Sequence, residues 1–144
     1  MPPKPPDKPR RLPEGYLTNG YFSEGTILYD RLIAKDPREI VWNLTDNRLS
    51  GKPMEHSQFR KFFGYARRLE YRLRGGEKWD SVRQDLLRLE AFAEDSINRQ
   101  KAPFIFRKLV TDNLKYAAES PDAFIRGFII HWEGIAAFWP RKGQ

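Results

Sequence analysis

From residue 16 onward the apolar positions recur at intervals of three and four, and Leu and Ile outnumber Val and Thr, which predicts helices throughout and no strand. A first helix is expected after Ser23, stopped by Pro37 just beyond Lys35. Asp36-Pro37-Arg38-Glu39 reads as an N-cap, a proline at the first helical position and a capping-box acid, opening a short second helix that closes near Asp46. The third begins after Ser57, places Phe59, Phe62, Phe63, Ala66, Leu69 and Leu73 on one face, and ends at Gly75-Gly76. A fourth carries Trp79, Val82, Leu86, Leu89, Ala93 and Ile97 on one unbroken stripe. The fifth starts at Pro103 with Ile105, Leu109, Val110, Leu114 and Ala117 inward. Ser120-Pro121-Asp122 starts the sixth, which buries Phe124, Phe128, Trp132, Ile135, Ala136 and Trp139 before Pro140 stops it. The fold class is therefore all-α, a compact bundle of about five to six helices forming a single domain over residues 16–144.

The first 13 residues break this pattern, because they hold six of the eleven prolines and set Lys4, Lys8, Arg10 and Arg11 against one acid, Asp7. Such a composition buries nothing, so residues 1–15 are expected to form a disordered, proline-rich basic arm. The most apolar stretch, Phe124 to Trp139, is interrupted by Arg126, His131 and Glu133 and falls short of the roughly 20 apolar residues a bilayer requires. No membrane partner is expected. The chain has no cysteine, which excludes disulfides, thiolate zinc sites and cysteine nucleophiles and suits the cytoplasm. With only His56 and His131 as histidines, no metal site is assigned, and no cofactor.

Charge adds a functional direction. Lys and Arg number 26 against 19 Asp and Glu, a formal net charge of +7 that favours a polyanionic partner, nucleic acid first. On the third helix, steps of about 100° put Arg60, Arg67 and Arg74 in one row and Lys61, Arg68 and Arg72 in another, with Glu70 as the only carboxylate on that helix. Guanidinium groups repeated every seventh residue suit phosphate oxygens along a strand, while a solvated charged face is the plainer alternative. A second basic group, Arg99, Lys101, Arg107 and Lys108, straddles the start of the fifth helix. Phe104 and Phe106 lie among these cations, and core packing is favoured over base stacking for both rings. Trp42, Trp79, Trp132 and Trp139 provide more aromatic surface than a chain of 144 residues needs for its own core, so at least one apolar patch is expected to meet another subunit.

Two family patterns bear on activity. Arg126 and His131 have the separation of the ribonuclease motif in HEPN-type helical proteins, yet on a continuous helix the two side chains would point about 140° apart, and Gly127 stands where that family prefers a polar residue. A closer likeness covers most of residues 55–139. His56-Ser57-Gln58-Phe59-Arg60-Lys61-Phe62-Phe63, the helix from Leu86 to Arg99, and the stretch from Phe124 to Phe138 resemble the small subunit of type III-A CRISPR effector (Csm) complexes. The resemblance implies an all-helical, non-catalytic subunit of an RNA-guided antiviral interference complex. It stacks in several copies beside the other Csm subunits, along the channel where guide RNA pairs with target RNA. By match to that family's serine-x-x-arginine and terminal arginine steps, Arg60 and Arg99 become RNA-facing residues. The basic surface read from the residues themselves adds Lys61, Arg67, Arg68, Lys101, Arg107 and Lys108. The alternatives are a standalone helical RNA-binding or adaptor protein and a HEPN-like ribonuclease.

Overall fold

The computed structural model describes residues 8–141. A two-stranded antiparallel hairpin, β1 (Phe22–Glu24) and β2 (Ile27–Leu28), leads through a 3-10 turn at Asp30–Leu32 into α1 (Lys35–Thr45). Then follow α2 (His56–Arg74), α3 (Trp79–Leu87), α4 (Leu89–Asn98), α5 (Ile105–Ala117), a π-helical segment at Ala123–Ile129, and α6 (Ile130–Phe138). In the core α1 packs on α6, α4 on α5, and α2 on both α3 and α6. One hydrophobic cluster draws on all six α-helices, and its largest fully buried side chains include Trp132, Phe59, Phe106, Phe124 and Phe128.

The all-α reading holds, with local corrections. No first helix forms after Ser23. Gly25 adopts φ +56° in the two-residue loop between Glu24 and Ile27, and that left-handed turn closes a hairpin where an α-helix would need right-handed backbone throughout. Asp36 does not cap the next helix either, since α1 already begins at Lys35. Its carboxylate is buried in the first turn and accepts a hydrogen bond from Arg31 Nε at 2.6 Å. The single fourth helix is two, α3 and α4, broken at Arg88, where the backbone tightens to an i→i−3 bond to Asp85. Leu86 and Leu89, three apart across the break, both stay fully buried.

The helix ends follow the caps read from sequence more closely. Gly76, at φ +102°, closes α2 in a Schellman arrangement: Glu77 N donates to Arg72 O at 3.1 Å and Gly76 N to Leu73 O at 3.1 Å. Ser120 Oγ accepts from Ala123 N at 3.0 Å at the start of the last helical rod. Within that rod the wider π coil brings Phe124, Phe128 and Trp132 into a column, with successive ring centroids 5.9 and 4.6 Å apart. Trp132 continues the column onto Phe59 at 5.2 Å, and Phe59 onto Trp139 at 4.9 Å. Of the four tryptophans, then, Trp132 and Trp139 are core, Trp79 is half-buried and only Trp42 is exposed.

The basic arm also differs from expectation over its second half, while residues 1–7 lie outside the described residues. Lys8 pairs with Leu49 as an isolated parallel bridge, and Arg10 is buried. The Arg10 guanidinium donates to the carbonyls of Ser50 (2.8 Å), Asn43 (2.9 Å), Gly51 (3.0 Å) and Leu49 (3.4 Å), and Arg11 N donates to Asn43 Oδ1 at 3.0 Å. A composition that makes no apolar cluster can still anchor itself when one long cation finds several carbonyls at a helix end and in the loop beyond it. Arg10→Ala is therefore expected to lower stability by about 1.5–3 kcal/mol, the range for hydrogen bonds to a charged group. A urea midpoint equal to that of the wild type would show that the clamp contributes nothing.

Candidate nucleic-acid interface

The eight cations singled out from sequence do not form one surface. Lys61 and Arg68, seven residues apart on α2, face Arg99 at the end of α4 and Lys101 just beyond it across a groove of about 450 Å³. Phe62, Tyr65, Leu89 and Phe92 make its apolar part, and Asp95 is its only acid. The groove lies where α2 and α4, both packed on α3, approach each other and touch through the Tyr65 and Phe92 rings, 5.3 Å apart. Among the described residues, Lys61, Arg68 and Lys101 make no ion pair, and Arg99 meets Asp95 only at 3.8 Å. Four like charges around one concavity with a single acid leave a strongly positive local field.

The other four candidates lie elsewhere. Arg60 is exposed on α2 and also makes no ion pair among the described residues. Its charge, with that of Arg141, adds to burial in holding His56 below the usual histidine range. Arg67 is half-buried, 3.0 Å from Glu70, whose other carboxylate oxygen accepts from Arg74 Nε, also at 3.0 Å. One buried carboxylate thus engages two members of a row that the sequence left unpaired. Arg107 hydrogen-bonds Glu94 across from α4, which holds the Glu94 carboxyl below its ordinary range, and Lys108 pairs with Asp112 at 2.9 Å. The two aromatic rings at the start of α5 separate as well: Phe106 is fully buried beside a half-buried Ile105, as expected, whereas Phe104, expected in the core, is 73% exposed beneath the Arg107 guanidinium.

Nor is the Arg126–His131 pair assembled. Arg126 projects to the surface 3.8 Å from Asp122, while His131 is fully buried. The Leu32 carbonyl can only accept, so His131 Nδ1 carries the proton it donates there at 2.8 Å, and Nε2 accepts from the Tyr16 hydroxyl at 2.5 Å. Tyr16 in turn accepts from Asn113 Nδ2 at 2.9 Å, and Asn113 Oδ1 accepts from the Tyr21 hydroxyl at 2.7 Å. Burial drives the His131 pKa down to about 4 and holds both phenols protonated. Gly127 is the reason Tyr21 fits, because a Cβ there would sit 2.4 Å from the tyrosine ring. The sequence gives no sign of this network, which joins residues 16, 21, 32, 113 and 131. Tyr65 was missed too, although it lies on the Lys61–Arg68 side of the same helical wheel.

Together these features define a small helical protein with a cationic groove. Among the described residues it has no cluster of potential metal ligands and no helix long and apolar enough to cross a membrane. The family model for Csm2 Type III-A matches residues 42–143, and the chain belongs to that family: it is a structural subunit of the type III-A Csm complex, assembled with other subunits. No curated protein and no solved structure gives a match.

Proposed function

We propose that the protein serves the Csm complex as a non-catalytic RNA-binding subunit. It neutralises the backbone of guide and target RNA without reading sequence, and it stacks with further copies of itself and with the other subunits in the cytoplasm. One observation carries this reading: Lys61, Arg68, Arg99 and Lys101 converge from two helices on one groove that contains a single carboxylate. Phosphate contacts of this kind give affinity and salt dependence but no base preference. Arg60, exposed on the same helix and without an ion pair among the described residues, extends the basic surface, whereas Arg67, Arg107 and Lys108 are engaged by acids and contribute less. The absence of a role in cleavage rests on His131, whose ring nitrogens are both occupied inside the core and whose Arg126 partner is outside it.

The test is binding of single-stranded RNAs of unrelated sequence to the full chain over a range of salt concentrations. Three to four neutralised phosphates, each contributing about −0.7, give an expected log–log slope of roughly −2 to −3, the same for every sequence, with the RNA recovered intact. A slope near zero, or cutting that His131→Ala abolishes while the fold survives, would overturn the proposal.

A further inference from the structure

A surface that only follows phosphates needs no cavity, yet the groove between α2 and α4 is concave. Its volume of about 450 Å³ lies within the roughly 300–1,000 Å³ typical of small-ligand sites. We infer that it receives one unpaired nucleotide of the bound strand, the base packing on the wall formed by Tyr65 and Phe92 and the flanking phosphates resting on the surrounding cations; this rests on the RNA reading above. The aromatic part is already fixed in place. The Tyr65 hydroxyl donates to Asp85 O at 2.8 Å, and the ring stands edge-on to Phe92, with centroids 5.3 Å apart and planes at 88°. Arg68, which lines the groove, lies 5.8 Å from the Tyr65 centroid, so a planar cation as well as the rings is available to stack on a base.

The polar lining fits the same occupant. Gln58 and Ser96 both line the groove, and neither side chain has a hydrogen-bond partner among the described residues. An amide and a hydroxyl each donate and accept, so together they can meet the edge of any base, consistent with insertion that discriminates little by sequence. Duplex RNA keeps its bases paired and directed inward, and it would engage only the cations at the rim.

The deciding experiment compares two RNAs of the same length and phosphate number binding to the full chain: a 12-nucleotide uridine strand and the same ribose-phosphate strand with every base removed. Insertion predicts that the abasic strand binds about tenfold more weakly, the effect of losing one stacked base, with an unchanged salt slope. Phe92→Leu keeps apolar volume but removes the ring, and it should erase most of that difference while leaving abasic affinity where it was. Equal affinity of the two strands for the wild-type chain would overturn the insertion and leave phosphate binding standing. Failure of both strands to bind would overturn the RNA reading and the insertion together. The comparison on the wild-type chain decides the matter even if Phe92→Leu does not fold.

Discussion

Replacing His131 by alanine is expected to destabilise the fold by about 3–5 kcal/mol, the upper range for truncating a large buried side chain, because Tyr16 and Leu32 O also lose their partner inside the core. The same residue sets a pH dependence. Its pKa of about 4 in the folded chain lies below the ordinary histidine value of about 6.5, so between these two pH values the unfolded chain holds a proton that the folded chain does not. Stability is then fully present above pH 6.5 and falls as pH drops towards 4, by about 3 kcal/mol across the window. Carboxylates held low by their arginines, such as Glu77, Asp85 and Glu94, add their own losses only nearer their titration range, leaving pH 6.5 to 5 chiefly to histidine. Urea midpoints of the wild type should decline over that interval, His131→Gln should show a flatter profile, and His56→Gln, at a partly exposed site, should keep the decline. A wild-type midpoint that does not change from pH 7 to pH 5 would contradict the neutral buried imidazole.

The second large effect concerns RNA. Reversing Lys61, Arg68, Arg99 and Lys101 to glutamate should remove most binding, whereas reversing Arg67, Arg107 and Lys108 should weaken it only slightly, because acids already oppose those three. The first variant should also lose roughly 2 to 3 of the salt slope, and the second less than about 0.7, one phosphate's worth. Circular dichroism on both variants separates loss of binding from loss of fold. If the two sets were equally damaging, binding would follow total charge rather than the groove, and the division drawn from the ion pairs would be wrong.

What could be read from the chain divides by the range of the interactions involved. The apolar face of α2, its glycine end and the serine start of the final rod are local patterns, and the structure reproduces them. The hairpin was illegible because its strands have three and two residues, too few for alternation to show, and its only signal was the glycine of the turn. Pairing at helical spacing, as for Arg67 with Glu70 or Lys108 with Asp112, was open to a reading of the chain but went unread, both cations being assigned to RNA. Pairing was hidden where Arg107 reaches Glu94, thirteen residues away on another element. The groove belongs to the second kind: each side carries cations visible in sequence, but only the placement of α2 against α4 makes Lys61 and Arg68 the neighbours of Arg99 and Lys101. Arg10 and His131 were misjudged or incompletely read for the same reason, since their partners lie more than thirty residues away along the chain.

The π segment carries an implication for length variation. Over Ala123–Ile129 each turn takes more residues than an α-turn, so seven residues there advance the chain around the axis by about as much as six in an α-helix. The rod thus contains one residue more than an all-α rod with the same two ends. A homologous helix lacking the widening would align with it through a single-residue gap inside 123–129. Outside that gap, Ser120 before it and Trp132, Ile135 and Trp139 after it would keep their register.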